Sequence, residues 1–349
     1  MLNNINYEYK NGINENCKSK KINLGIELLR TILSFFILSR HFLKIEYKTT
    51  FLAEFIFYVQ PFYVPTFFLI SFYFSYNTFQ SRNINKIKFR FIRILIPYTI
   101  WPILLWLRFI IFVNKSIELN INIFKSIFFQ LLIGYDFYAV LWFQFDLIMI
   151  SIIFAIIIFT FTKNYLQFMG VFGIFLFIFN RKYERALFKY KRNDSIRRLN
   201  YSAIYSITGF ILGSINIIKK SKNLKNKIFL LIIPVIILIN QFKNFLEIAF
   251  RFQILYIDVI IIFLFILFAN IPIESIKDKI IILILIHITK FTGGIYYIHY
   301  GVRTIFSNYF KILALGNLKS CVLNYLTCYL ICFIGSHIFK NSILKFLFN

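Results

Sequence analysis

Residues 22–45 read INLGIELLRTILSFFILSRHFLKI, an apolar run that is long enough to cross a bilayer as one helix. The run nevertheless contains Glu27, Arg30, Ser34 and His41. At about 100° per residue these four side chains fall in one narrow sector of a helix and form a polar stripe. A charged group near the centre of a membrane helix costs about 2.5–3.5 kcal/mol. The stripe therefore predicts a helix that faces a cavity or partner helices rather than lipid.

The composition of the whole chain is that of an integral membrane protein. Hydrophobic residues make up 59% of its 349 residues, and the mean hydropathy is +0.71. Apolar segments near bilayer length recur from end to end, whereas a soluble chain would show polar faces throughout. We predict an all-α, polytopic membrane protein with ten transmembrane helices, at 22–45, 51–78, 93–113, 139–162, 165–180, 200–218, 226–243, 251–270, 291–313 and 319–340.

The net charge of +26 comes from basic residues that cluster between the predicted spans. In so apolar a chain these residues orient the helices and contact lipid headgroups, and we expect no nucleic-acid partner. The positive-inside rule predicts a multi-pass protein of the cell membrane, plasma or inner, with both termini in the cytoplasm. The transmembrane domain then covers 22–340, between cytoplasmic tails at 1–21 and 341–349.

The segment at 181–198, RKYERALFKYKRNDSIRR, disagrees with this topology, because it is strongly basic yet the span count places it outside. Either residues 121–134 form an additional short span, or the segment is external and its charge attracts an anionic glycan or headgroup. At about 14 residues, 121–134 is short for a crossing, so we favour a re-entrant or interfacial piece.

A second polar face lies in the ninth predicted span. Tyr296, His299 and Arg303 share one side of a helix through steps of three and four residues. A lone buried histidine is usually a hydrogen-bonding core residue. Here, however, two membrane segments each carry a histidine and an arginine, and histidine is the side chain best suited to moving a proton near neutral pH.

Arg90 and Arg93 lie three residues apart just before the third predicted span. Neighbouring guanidinium groups at a cytoplasmic helix start suit bidentate binding of phosphate. The alternative is a positive-inside anchor that contacts lipid headgroups. Spacing alone does not decide between these two interpretations.

Four blocks occur in order along the chain: Ile26–Arg30 with His41 eleven residues after Arg30, Val64–Ser71, Arg90–Tyr98, and Leu141–Phe143 with Gly294–His299. Together they resemble the acyltransferase-3 family of membrane proteins. That family includes O-acetyltransferases of bacterial surface polysaccharides and acyltransferases of the intercellular-adhesin type. Each block alone is weakly specific, but four in order are fairly specific.

The resemblance implies a ten-helix membrane O-acyltransferase that moves an acyl group, in particular acetyl, from cytosolic acyl-CoA to a hydroxyl group. The acceptor would be a cell-surface glycan or a lipid-linked sugar. Residue by residue, the resemblance points to Arg30 and His41 as essential and to Glu27 in the acidic position before them. It also makes Arg90 and Arg93 the cytoplasmic arginine pair.

This chain departs from the family pattern at three positions. Phe72 stands where glycine usually follows the serine, and Val140 stands where a histidine often precedes the Leu-Trp-Phe block. Asp146 is an unexpected acidic residue in the same helix. The first change narrows the expected pocket, and the second removes an expected contact with the acceptor.

Acyl transfer needs a base for the acceptor hydroxyl and positive groups for the donor phosphates and the developing oxyanion. The catalytic hypothesis makes His41 the general base or transient acyl carrier, with Glu27 and Arg30 setting its surroundings. A plain ion pair on the helix surface is the alternative role of Glu27. For the donor we expect Arg90 and Arg93 to bind the phosphates of acyl-CoA. On the acceptor side the expected residues are Tyr296, His299 and Trp142.

Acyl-CoA is expected as a co-substrate, and we predict no permanently bound cofactor and no metal. The four cysteines do not have the spacing of metal ligands, which favours packing roles for them. Proteins of glycan assembly are possible partners. The main rival is a transporter or flippase of lipid-linked sugars, because charges and prolines within membrane helices also mark permeation paths. A scaffold role is a third alternative, and it predicts that the stripe tolerates substitution.

Overall fold

A computed structural model of the protein describes residues 23–43, 55–56, 60–112, 128–129, 131–132, 142–161, 164–187, 194–215, 260–271, 279–309 and 317–348. Within these residues every regular element is helical and no strand occurs, which confirms the all-α prediction for this part of the chain. The helices are α1 Leu24–Phe42, α2 Gln60–Gln80, α3 Ile84–Phe112, α4 Trp142–Thr160, α5 Tyr165–Leu187, α6 Asp194–Ser214, α7 Ile260–Asn270, α8 Lys279–Thr289, α9 Thr292–Tyr309 and α10 Leu318–Ile338. A short 3-10 helix, Ile343–Leu347, follows α10.

Two helices of the described chain, α4 and α10, are both long and apolar enough to cross a membrane, with mean hydropathies of 2.3 and 1.6. The helix α7 and the first part of α5, Tyr165–Leu176, are apolar but shorter. The full set of ten spans stays a prediction. Its seventh member, 226–243, and the tail at 1–21 lie outside the described residues.

Apolar side chains cover the outer surface of α10 in a regular stripe. Leu326, Leu330, Ile334 and Ile338 recur every four residues and are 50–69% exposed. Soluble proteins rarely expose a contiguous apolar surface of this kind. This apolar face of α10 is the kind of surface that a lipid-facing helix has.

Two helix boundaries differ from the sequence prediction. The helix α3 begins at Ile84 rather than near residue 93, so that Arg90 and Arg93 lie within its first three turns. The helix α5 continues to Leu187, into the basic segment. Residues 181–187 contain no glycine or proline and are mostly good helix formers, so nothing in them ends the helix.

An additional helix, α8, occupies Lys279–Thr289, between the predicted eighth and ninth spans. Only Lys290 and Phe291 separate it from α9. The segment that was expected to be re-entrant is described only at residues 128–129 and 131–132. There the hydroxyl of Tyr98 on α3 donates a hydrogen bond of 3.0 Å to the carbonyl of Leu131.

The largest helix contact joins α2 to α6 and depends on glycine. A Cβ atom added at Gly209 would lie 2.2 Å from the carbonyl oxygen of Leu69, and one at Gly213 would lie 2.8 Å from the carbonyl oxygen of Tyr73. Small residues let two membrane helices approach this closely. Beside this contact the rings of Phe154 and Phe210 pack edge to face, with centroids 5.2 Å apart.

The helix α1 contacts α2, α8, α9 and α10. Its N-cap residue, Asn23, accepts a hydrogen bond from the Ile26 amide and donates one to the Ala269 carbonyl, both at 3.0 Å. Midway along α1, the hydroxyls of Ser34 and Tyr325 lie 3.0 Å apart. The polar stripe of α1 therefore faces neighbouring helices, as its composition predicted.

Candidate functional site

One end of the site is a polar cluster where α1 meets the break between α8 and α9. Arg30 Nη1 donates hydrogen bonds to Glu27 Oε1 and Oε2, at 3.1 and 2.9 Å. Arg30 Nη2 donates to Thr292 Oγ1 at 3.2 Å, and the same hydroxyl donates to the Thr289 carbonyl at 3.0 Å. Glu27 is thus in the ion pair that its spacing predicted. Arg30 joins α1 to the first residue of α9.

The other end of the site is a pair of histidines. The ring centroids of His41 and His299 lie 5.2 Å apart. His41 is exposed at the last turn of α1, whereas His299 is fully buried on α9. His299 Nδ1 lies 2.6 Å from the carbonyl oxygen of Tyr296. A carbonyl can only accept, so neutral His299 carries its proton on Nδ1 and has Nε2 as its acceptor nitrogen.

The two ends of the site are separated along α1. Arg30 and His41 are eleven residues apart, which is about 16 Å along a helix. The helices α1 and α9 run in the same direction, because Arg30 meets Thr292 and His41 meets His299 further along both. The predicted catalytic residues therefore line one track between two parallel helices rather than a single compact cluster.

Aromatic rings continue from the histidine pair to α4. The ring centroid of Tyr296 is 5.9 Å from that of His299 and 5.4 Å from that of Phe143. Phe143 in turn lies 6.3 Å from Trp142. The three residues that were predicted to bind the acceptor, Tyr296, His299 and Trp142, thus belong to one continuous aromatic wall beside His41.

The arginine pair on α3 is divided between two environments. Arg90 points toward α2, where its Nη2 donates to Ser71 Oγ at 3.2 Å and its Cζ lies 5.1 Å from the ring centroid of Phe72. Arg93 is exposed and lies 5.9 Å from the ring centroid of Phe346, beyond α10. Phe72, which stands where the resemblance implies glycine, is one of two rings that pack beneath Arg90, the other being Phe79 at 5.7 Å.

A buried ion pair next to this wall was not predicted. Asp146 on α4 is fully buried, and its Oδ2 lies 3.6 Å from Nε of Arg198 on α6. Ser202 Oγ donates to the same carboxylate oxygen at 2.8 Å. The guanidinium carbon of Arg198 lies 4.8 Å from the ring centroid of Trp142. The acidic residue inside an apolar helix was the available signal, but its partner is 52 positions away in the sequence.

Three further observations concern metals and thiols. Within the described part of the chain, no group of three or more histidine, cysteine or acidic side chains is placed to hold a metal ion. Cys321, Cys328 and Cys332 are buried on α10. A Cβ atom added at Gly294 would lie 2.7 Å from Cys332 Sγ, so this cysteine packs tightly against α9.

Comparison with known proteins identifies the family. The model of the acyltransferase-3 family, which describes an acyltransferase domain, matches residues 23–340. No curated protein and no solved structure matches the chain. The match begins at the N-cap of α1 and ends just beyond α10, so it includes the polar cluster, the histidine pair and the aromatic wall. The chain belongs to the acyltransferase-3 family and is a membrane-embedded acyltransferase.

Proposed function

We propose that this protein transfers an acyl group, in particular acetyl, from cytosolic acyl-CoA to a hydroxyl of a cell-surface glycan or lipid-linked sugar. The observation that carries the proposal is the pair of parallel helices with Arg30 and Thr292 at one level and His41 and His299 at the other. This arrangement offers a cation for the donor and an accessible imidazole for the acceptor.

In the direct version of the reaction, His41 removes the proton from the acceptor hydroxyl. The hydroxyl oxygen attacks the thioester carbonyl carbon, the carbon–sulfur bond breaks, and the proton passes from His41 to the departing CoA thiolate. In the two-step version a ring nitrogen of His41 attacks the thioester carbon and the carbon–sulfur bond breaks, releasing the CoA thiolate. The acceptor hydroxyl then attacks the acyl-imidazole, the carbon–nitrogen bond breaks to restore His41, and the hydroxyl proton goes to the thiolate. Both versions use His299 in the same way, as a buried ring packed against His41 and oriented by the Tyr296 carbonyl.

We assign the acyl-CoA donor to the side of the membrane on which Arg93 lies. We assign the acceptor sugar to the opposite side, on which Trp142 lies. Basic residues flank the start of α3, which the positive-inside rule places in the cytoplasm of a cell membrane. Helix directions support the same topology. The contacts of Gly209 with Leu69 and of Gly213 with Tyr73 fit α2 and α6 running in one direction. The contacts of Ser202 with Asp146 and of Phe210 with Phe154 fit the same direction for α4, as even-numbered spans would have.

The roles of Glu27 and Arg30 follow from their hydrogen bonds. Glu27 holds the guanidinium in place, and Arg30 keeps one third of its side chain exposed, at 33%. A fixed and partly exposed cation is suited to stabilising the oxyanion of a thioester carbonyl during attack. Because His41 lies about 16 Å further along α1, the long arm of CoA has to extend along the track between α1 and α9.

The test uses the purified protein in proteoliposomes with acetyl-CoA inside and a panel of glycan acceptors outside. The proposal predicts release of CoA thiol together with an acylated glycan, in equal amounts.

A transporter is the second candidate, and the interruption of an apolar helix pair at Lys290 and Phe291 favours it, because transport sites use broken helices. Movement of a lipid-linked sugar without consumption of acetyl-CoA would establish that candidate and refute acyl transfer.

A further inference from the structure

Two cations from different parts of the chain meet at one aromatic ring. The Arg93 guanidinium carbon lies 5.9 Å from the ring centroid of Phe346, and Lys345 Nζ lies 5.5 Å from the same centroid. Phe346 itself is only 9% exposed, whereas Arg93 is exposed and Lys345 is partly exposed. A guanidinium that stacks on a ring keeps its N–H groups at the edge, where they can bind an anion.

The segment that carries Lys345 and Phe346 is firmly seated on the bundle. Phe89 of α3 packs edge to face on Phe346, with centroids 5.5 Å apart. Two residues on, Phe348 lies in a notch that two glycines create. A Cβ atom at Gly335 would lie 2.5 Å from the Phe348 ring, and one at Gly294 would lie 2.4 Å from the Phe348 carbonyl oxygen. Packing therefore holds in place Phe346, the ring that Arg93 and Lys345 share.

Arg90 cannot supply the second cation of this surface. Its guanidinium is directed to Ser71 and lies over the rings of Phe72 and Phe79, at 5.1 and 5.7 Å. The accessible partner of Arg93 is consequently Lys345 rather than Arg90. No aspartate or glutamate occurs in residues 84–112 or 339–348, so neither of the two elements provides a carboxylate to neutralise the pair.

We propose that Arg93 and Lys345 form a binding site for phosphate groups, with Phe346 as the positioning residue between them. Two accessible cations on elements that contain no aspartate or glutamate suit a pyrophosphate group, which spreads its negative charge over several oxygens. The assignment of that group to CoA rests on the proposed function. The chemistry of the site also suits an anionic lipid headgroup, so the experiment has to distinguish these two sources.

The experiment measures binding of CoA and of inorganic pyrophosphate by calorimetry, with the full chain in phosphatidylcholine nanodiscs. Lys345→Ala is expected to weaken both by about tenfold, since it removes one charge-assisted hydrogen bond that is weakened by exposure to water. Phe346→Leu is expected to weaken both severalfold. Lys340→Ala is the matched control, because Lys340 is an exposed lysine of the turn after α10. It is expected to bind like the wild type.

A readout beyond affinity separates binding from structure. Removal of one direct cation makes the dissociation constant less sensitive to NaCl, and a purely structural defect leaves that slope unchanged. Equal affinity and equal salt dependence in Lys345→Ala and the wild type would overturn the proposal. Loss of the CoA signal when phosphatidylglycerol replaces part of the phosphatidylcholine would overturn the assignment to the donor and indicate a headgroup site.

Failure of this site and failure of the proposed function give different results. Pyrophosphate binding that depends on Lys345, in a protein that transfers no acyl group, would uphold the site and refute the proposed function. The opposite result is normal acyl transfer by the wild type together with a Lys345→Ala variant that binds CoA as tightly as the wild type. That result would uphold the proposed function and refute the site.

Discussion

The hydrogen bond between Arg30 and Thr292 allows a direct test of whether the contact between α1 and α9 contributes to acyl transfer. Thr292→Val keeps the branched shape of the side chain and removes only the hydroxyl that accepts from Arg30 Nη2 at 3.2 Å. It also removes the hydroxyl's own bond to the Thr289 carbonyl, at the break between α8 and α9. The substitution therefore disconnects Arg30 from α9 without changing the volume that is packed.

The size of the effect follows from the surroundings of Arg30. A hydrogen bond to a charged group contributes about 1.5–3 kcal/mol. Since the Arg30 side chain is 33% exposed, water partly replaces the lost partner and the lower end of the range applies. About 1.5 kcal/mol in transition-state stabilisation corresponds to roughly a tenfold fall in acyl transfer.

The assay compares initial rates of acyl transfer in proteoliposomes at equal protein amounts, together with the unfolding midpoint in detergent. Thr327→Val is the matched control, because Thr327 is a partly exposed threonine of α10 whose hydroxyl donates to the Leu323 carbonyl of its own helix. If Thr292→Val transfers acyl groups at the wild-type rate, the hydrogen bond between Arg30 and Thr292 does not contribute to acyl transfer. The same conclusion follows if Thr327→Val loses as much activity as Thr292→Val.

Three other substitutions test the packing and the site, with Gly170→Ala as the control for the first. Gly209→Ala forces a Cβ atom to 2.2 Å from neighbouring backbone and should lower the unfolding midpoint by the equivalent of about 1–3 kcal/mol. Gly170→Ala meets no atom within 4 Å and should leave the midpoint unchanged or raise it. Asp146→Ala removes the buried carboxylate that neutralises Arg198 and should cost about 3–5 kcal/mol in unfolding experiments. An unchanged midpoint in Gly209→Ala or in Asp146→Ala would contradict the expectation for that variant. His299→Gln keeps a hydrogen-bond donor but loses the imidazole, and should lower acyl transfer by about 10²-fold; wild-type rates would exclude a role for the ring.

Helical periodicity predicted which residues share a face but not which helix they meet. The polar stripe of α1 and the common face of Tyr296 and His299 could be derived from spacing. The contact between His41 and His299 could not, because it depends on how two helices more than 250 positions apart in the chain pack together.

The arginine pair shows that two residues predicted to share a helix face can still have different surroundings. Spacing places Arg90 and Arg93 on one side of a helix, yet the structure surrounds Arg90 with Ser71 and Phe72 and leaves Arg93 exposed beside Phe346. A step of three residues turns a helix by about 300°, so adjacent side chains still diverge by about 60°. That angle is enough for one guanidinium to enter the bundle and the other to stay outside it.

Partners of buried charges are equally hard to derive. Asp146 stood out in an apolar helix, but nothing in its own segment indicated Arg198. The helix α8 was also missed, because its 11 residues are shorter than a membrane span, although the predicted ninth span begins beside the break that presents Thr292 to Arg30.

In the proposed reaction, His41 performs acyl transfer at the end of the track between α1 and α9. The most direct measurement is the turnover number of His41→Ala with acetyl-CoA and a glycan acceptor. His337→Ala is the control, since His337 is likewise an exposed histidine near the end of a helix. We expect His41→Ala to fold normally and to lose acyl transfer by at least about 10²-fold, while His337→Ala keeps wild-type turnover. Wild-type turnover in His41→Ala would show that His41 does not perform the transfer.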